Sequence, residues 1–407
     1  MNILLEILLI AACILGLSIS MWVLMEHFRT AHLPSAISHP VKLQILHCIL
    51  LLVVTWGNIL EKLKICSMPH FCCFLQDIFV VKENLNVVVT DLRFGTIPVR
   101  LFQPQTVSSS PRRGIVFYHG GGAMFGSLDS YHNLCSFLSR ETDSVVLLVG
   151  YRQLPDHHHP VLIQDCLTAT VHFLINLSAY GVDPSRVVLC GDSMGGWAVV
   201  MVIQALVNRT DLPHIRAQIL IYTVIQCINL QLPSHQQNKN VPPFTQEFML
   251  MCVCKYFAID FSWREAMLSG ACIHPDHWKK YRKWLSSDNI PKRYKKKYHE
   301  APFPGPFDEA AYLETKQALD VKVTPILVDD EIIAQLPEAF LVSCENDILR
   351  DDTLLYKKRL EDQKVPVSWY HAEDGFHGCV SLFSNKVFSF PCTQNIMNAV
   401  VSYIKGV

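Results

Sequence analysis

The sequence predicts an α/β fold: a mostly parallel sheet covered by helices on both faces, with a helical cap and an N-terminal membrane anchor. Three observations point to it. From about residue 114 onward, short apolar runs alternate with helical stretches of ten or more residues, the pattern of parallel strands joined by crossover helices. One such run, residues 187–190, passes almost directly into an apolar helix at 197–207 through Gly191-Asp192-Ser193-Met194-Gly195. Finally, residues 3–25 form an apolar run long enough to cross a bilayer.

Composition narrows the function classes. The 407 residues carry 35 basic against 36 acidic side chains, so bulk charge gives no case for a nucleic-acid partner. Half of the residues are apolar, which points towards lipid. Fifteen cysteines, an odd number without metal-type spacing, do not read as a disulfide framework. Cys252 and Cys254, with Cys272, His274 and His277, are the nearest approach to a metal set, and neither metal nor cofactor is expected.

In chain order, residues 1–25 read as an uncleaved transmembrane signal anchor. No Lys or Arg precedes the apolar run, whereas Arg29, Lys42, Lys62 and Lys64 follow it, which on charge alone would keep the body cytoplasmic. Residues 26–85 read as apolar membrane-proximal or cap helices. Within them, 43–60 is marginal for spanning and suits an interfacial helix, or one buried beside the mouth of the site. A first α/β part, 86–230, opens with a hairpin (87–90 and 97–102) and continues with strands at 114–118, 144–149, 187–190 and 215–222 and a helix at 165–177. Residues 231–320 break the alternation and read as a cap. They include nine Lys or Arg against one Asp between 279 and 297, either a solvated surface or a head-group contact through Trp278, Tyr281 and Trp284. The α/β pattern returns at 321–407, with strands at 339–343 and 365–370 and a last helix at 395–404.

The chemistry starts from Ser193. A strand turning straight into a helix exposes its middle residue in a strained turn, with glycines two positions away on either side to relieve crowding. A serine there needs a base, a group to orient the base, and donors for an oxyanion. On such a fold the acid and the histidine follow the serine in the chain. His377, in Asp374-Gly375-Phe376-His377-Gly378, is the expected base. Asp347, just past the strand at 339–343, is preferred as the acid over Glu345, Asp351 and Asp374. His119-Gly120-Gly121-Gly122 follows the strand at 114–118, and its glycines let main-chain N–H groups approach a substrate oxygen. Gly121, Gly122 and Met194 are the expected oxyanion donors, supported by His119, Gly120, Gly191, Asp192 and Gly195.

Together with Tyr151-Arg152 and Leu349-Arg350-Asp351-Asp352, these motifs resemble the arylacetamide deacetylase group of the hormone-sensitive-lipase-like α/β-hydrolases. The resemblance runs from the N-terminal anchor to the C-terminus. It implies an α/β-hydrolase fold and serine-dependent hydrolysis of carboxylic esters, amides or lipid esters, with Ser193, Asp347 and His377 as triad. It also implies a single-pass type II protein of the endoplasmic reticulum membrane with a lumenal catalytic domain, against the charge count. The implied partners are a small hydrophobic ester or lipid substrate and the membrane; the oligomeric state stays open. Where the group usually has Ala after the nucleophile, this chain has Met194. Where the glycine motif is usually followed by Trp or Phe, it has Ala123, which predicts a substrate pocket that takes acyl groups bulkier than acetyl. A disulfide of the founding deacetylase finds Cys344 here but no partner cysteine. The sequons at Asn176 and Asn208, candidate glycosylation sites, fall on expected helices. The competing readings are a non-catalytic ligand binder on the same fold and an acyltransferase using the same triad.

Overall fold

The computed structural model describes residues 3–83, 86–296, 298–300, 302–383, 385 and 387–407. Residues 1–2, 84 and 85 of the expected N-terminal segments, and Lys297 of the basic stretch, lie outside the described residues.

Three helices come first: α1 (Ile3–Thr30), α2 (Pro40–Lys62) and α3 (Met68–Ile78). Both α1 and α2 are long and apolar enough to cross a membrane, by length and composition. The apolar side chains of α1 are largely exposed, an arrangement that water disfavours. An eight-stranded sheet follows, formed by β1 (Val87–Phe94), β2 (Ile97–Pro104), β3 (Arg112–Tyr118), β4 (Ser144–Val149), β5 (Val182–Asp192), β6 (Ala217–Ile221), β7 (Glu338–Asn346) and β8 (Val367–Phe376). Its order is β1-β2-β4-β3-β5-β6-β7-β8. The β1–β2 and β2–β4 pairs are antiparallel and all later pairs are parallel.

The central strands read as unbroken apolar runs because both faces of the sheet are covered. Along β4, Val145, Leu147 and Val149 join one core cluster while Val146 and Leu148 join the other. Residues of α5 (Val161–Ile175), α6 (Met194–Leu206) and α13 (Arg350–Asp362) fill the first cluster; those of α4 (His132–Thr142) and α14 (Pro391–Gly406) fill the second. Between β6 and β7 the chain leaves the sheet as short helices: α7 (Pro233–Gln237), α8 (Gln246–Tyr256), α9 (Arg264–Ser269), α10 (Pro275–Leu285), α11 (Glu309–Thr315) and α12 (Asp330–Ile333).

Several local expectations need correction. The strand expected at 215–222 stops at Ile221, because Tyr222 takes φ 38° and turns its hydroxyl to the Val380 N–H at 3.0 Å. The strand expected at 365–370 runs on to Phe376, since β7 pairs with it as far as Asn346↔Phe376. Asn176 and Asn208 are not inside helices: Asn176 caps the end of α5, and Asn208 lies in the turn after α6. The aromatics of the basic stretch are not presented to a head-group layer. Tyr281 is buried, Trp278 and Trp284 pack on the core, and the Arg359 guanidinium sits 4.1 Å from the Trp284 ring centroid.

Candidate active site

The β5–α6 turn places Ser193 at φ 53°, ψ −120°, a strained conformation for a residue with a Cβ, costing about 1–3 kcal/mol. The turn tolerates it because α6 passes directly over β3. A Cβ on Gly195 would collide with the Tyr118 carbonyl, so only glycine fits there. The Ser193 N–H donates to the Ile221 carbonyl at 2.9 Å, which fixes the turn against β6.

The residues named from sequence as nucleophile, base and acid lie in one hydrogen-bonded line. Ser193 Oγ is 2.8 Å from His377 Nε2, and His377 Nδ1 is 2.9 Å from Asp347 Oδ2. All three are buried. The other carboxylate oxygen of Asp347 accepts from the Leu349 N–H at 2.8 Å, and its carbonyl accepts from Asn238 Nδ2 at 2.9 Å. A hydroxyl, imidazole and carboxylate in this order can pass a proton from the serine to the imidazole while the carboxylate holds the ring in place. The rival acids are engaged elsewhere. Glu345 pairs with Arg350 and His371, Asp351 with Arg350 and the Ser234 N–H, and Asp374 accepts from Ser38.

The glycine loop sits beside this line. Gly121 takes φ 111° and its carbonyl accepts from both Met124 and Phe125, folding the loop back on itself. Among the described residues, the N–H groups of Gly121, Gly122 and Met194 have no hydrogen-bond partner. Asp192 ties the loop to the elbow, accepting from the Gly120 N–H at 2.8 Å and the Tyr131 hydroxyl at 2.9 Å. Burial pushes the Asp192 carboxyl up to about 6, opposed by those hydrogen bonds. His119 stacks on Tyr151 with centroids 4.3 Å apart, and its Nδ1 is 3.0 Å from the Tyr151 hydroxyl. Burial holds its imidazole down at about 4, so it is a neutral prop for the loop.

Two apolar cavities meet at Ser193. The smaller, about 60 Å³, is lined by Met194, Trp197, Met249, Val253 and others, and does not include His377. The larger, about 390 Å³, is lined by Gly120, Gly121, His377 and Gly378 on one side and by α2 and α3 on the other. Gly122, Ser193, Phe244 and Cys252 line both. Ala123 lines neither. It is fully buried in the core with its carbonyl bonded to Leu154, because the left-handed turn (φ 61° at both Gly122 and Ala123) presents Gly122 to the cavity instead. The expectation of a roomier acyl pocket through Ala123 therefore fails.

Sequence reasoning missed two cap residues. Phe244 stacks on the His377 ring, and Asn238 holds the loop of Asp347. No local motif marks either; both act through packing across more than a hundred residues. Among the described residues, no three His, Cys, Asp or Glu side chains come together as a metal site.

Comparison with known proteins gives a consistent set of likenesses. The family model described as the alpha/beta hydrolase fold matches residues 115–285 and 271–381. Arylacetamide deacetylase-like 4 family member 1 of Mus musculus is 63% identical over 398 residues, covering 98% of each chain. The arylacetamide deacetylase of Bos taurus is 34% identical over 376 residues, 90% of this chain and 93% of its own. Among solved structures, a Pyrobaculum calidifontis esterase superimposes with a TM-score of 0.60 at 19% identity, over 86% of this chain and 97% of its own.

Proposed function

Since the chain belongs to the α/β-hydrolase family, among the arylacetamide deacetylase-like proteins, and is a carboxylic ester hydrolase, we propose that it works through Ser193, His377 and Asp347. The observation that carries this reading is the unbroken line from Ser193 Oγ through His377 to Asp347, beside three N–H groups without partners among the described residues. His377 takes the serine proton as Oγ attacks the ester carbonyl. The carbonyl oxygen becomes an oxyanion held by the N–H groups of Gly121, Gly122 and Met194, each donor contributing about 3–4 kcal/mol in the transition state. His377 returns the proton to the leaving oxygen, and water then releases the acyl group by the same steps.

The two cavities divide the substrate. The leaving oxygen must meet the imidazole that protonates it, so the alcohol part occupies the cavity that His377 lines. The acyl part then takes the cavity over Met194 and Trp197. At about 60 Å³ it is far smaller than the 390 Å³ cavity, which favours short acyl chains. The larger apolar cavity suits a bulky hydrophobic or lipid alcohol.

In this reading α1 is a membrane anchor, carrying the catalytic body on the lumenal side of the endoplasmic reticulum as a single-pass type II protein. The exposed apolar surface of α1 supports an anchor; the lumenal side is taken from the family resemblance, against the charge count of Arg29, Lys42, Lys62 and Lys64 after the apolar run. The test is Ser193→Ala in the full chain. It should abolish both ester hydrolysis and labelling by a fluorophosphonate probe while the protein keeps its melting temperature. Retained labelling would remove Ser193 from the role.

A further inference from the structure

Helix α2 has the composition of a membrane span, yet both of its ends are fastened to the catalytic body. Before its first turn, Ser38 Oγ donates to Asp374 at 2.9 Å, and within that turn Lys42 Nζ donates to the Ser389 carbonyl at 3.4 Å. Near the other end Glu61 pairs with Lys255 of α8 at 3.3 Å and accepts from the Met68 N–H of α3 at 2.7 Å. Its 23 residues, about 34 Å of helix, therefore lie along the body rather than leaving it to cross a bilayer. Its inner face, with Leu46, Leu50 and Val53, walls the large cavity.

The outer face is apolar as well. Ile45 of α2 is 50% exposed, and Phe74 and Ile78 of α3 are 61% and 57% exposed. Ile49 and Phe79 both line the cavity and stand exposed at its rim, Phe79 at 79%. The α2–α3 side of the cavity mouth thus carries large apolar side chains, an arrangement water disfavours and lipid tails match, while Asn385 stands exposed on the other side. α1 packs against α2 beside the patch, where the buried His27 and His47 join the two helices through ring nitrogens 2.8 Å apart. Lys62 and Lys64 lie exposed after α2, alternating with the exposed Leu63 and Ile65, and can meet head-group phosphates.

We infer that α2 and α3 seat the catalytic body on a lipid monolayer, with the mouth of the large cavity at the level of the acyl chains, so that substrate enters from the leaflet. The occupant of the patch is lipid. The inference rests on the proposed catalytic reading only for its activity readout. α1 holds the protein at the membrane throughout, so damage to the patch alters access rather than attachment.

The experiment uses the full chain in phosphatidylcholine vesicles with Ile45→Asp, Phe74→Asp and Ile78→Asp, none of which lines either of the two cavities at Ser193. Rates are compared for p-nitrophenyl acetate in water and hexadecyl acetate dissolved in the vesicles. Each carboxylate should lower hexadecyl acetate hydrolysis about tenfold or more, while p-nitrophenyl acetate hydrolysis stays within about twofold and fluorophosphonate labelling persists. Equal losses on both substrates, or no loss on either, overturn the inference. Ile78→Trp supplies a readout without catalysis. Its added emission should be quenched by lipids brominated on the acyl chains, and quenching by aqueous acrylamide instead overturns the docking. If the parent protein neither labels nor hydrolyses, the catalytic reading falls, and the tryptophan measurement decides the docking alone.

Discussion

Phe244 lies against His377, the two rings 4.2 Å apart between centroids and inclined by 24°. The cap thus presses on the imidazole from one side, while Tyr222 approaches from another with centroids 5.0 Å apart. The two hydrogen bonds of His377 leave the ring free to tilt about the line between them; a stacked ring removes that freedom. Catalysis that depends on alignment is sensitive to such supports.

Phe244→Ala should therefore lower kcat for p-nitrophenyl acetate by about tenfold or more, with a smaller change in KM, because alignment is lost before binding is. Phe244→Tyr keeps the stacked face and should retain most of the rate. Steady-state kinetics on the two variants check this. Equal losses in both would mean that the stacking does not position the base.

Asp347→Asn should reduce kcat by on the order of 10³–10⁴: with its amide oxygen kept by the Leu349 N–H, its NH2 faces His377 Nδ1 and favours the unreactive tautomer, and no carboxylate remains to stabilise the imidazolium. Asp374→Asn, whose carboxylate accepts from Ser38, should stay within about twofold. Single-turnover rates of the two variants separate them, and a severe Asp374 variant would move the acid away from Asp347.

Much of this arrangement is legible in the sequence because its parts are local. Gly191 to Gly195 states its own backbone conformation, and Gly375-Phe376-His377-Gly378 ends a strand whose position follows from the alternation. What is not legible depends on non-local packing. Asn238 and Phe244 come from the cap, whose short helices have no periodicity that would aim them at β7 and β8. Ala123 misleads for a related reason. The residue after the glycine motif looks like a pocket residue in a linear reading, but two successive left-handed residues turn it into the core. The apolar character of 43–60 is equally ambiguous, since a span and a helix lying on the body bury similar side chains. Only the bonds at Ser38, Lys42 and Glu61 distinguish them.

Asp192 gives a pH prediction. Its carboxyl is raised to about 6 in the folded protein, from 3.8, chiefly by burial. Between these values the unfolded chain has lost the proton that the native state keeps, so stability falls as pH rises through that window and levels off above it. The whole effect is on the order of 2–3 kcal/mol at most. Asp192→Asn has no such titration, and its side-chain oxygen can still accept from Gly120. The melting temperature of Asp192→Asn relative to the parent should therefore rise from pH 4 to about pH 6 and stay level to pH 8. A difference that is constant over the range would mean that Asp192 titrates alike in both states.

The division of the two cavities makes the last prediction. If the acyl chain occupies the 60 Å³ pocket over Met194 and Trp197, p-nitrophenyl esters should be hydrolysed best as acetate or propionate. Longer chains would have to displace buried side chains rather than fill space. Met249 lines that pocket and not the larger cavity. Removing its side chain in Met249→Ala opens room for further methylenes, each contributing up to about 0.8 kcal/mol once buried, or roughly fourfold in kcat/KM. The preferred chain should lengthen by two or three carbons in the variant, with acetate hydrolysis falling less than tenfold. Truncating the alcohol side should act differently. Leu50→Ala enlarges the cavity beside His377 and should leave the acyl preference unchanged while weakening KM for esters of long-chain alcohols. The measurement is kcat/KM from acetate to decanoate on the parent and both variants. A parent that prefers decanoate, or a Leu50 variant whose acyl preference shifts, would place the acyl chain in the larger cavity and reverse the assignment.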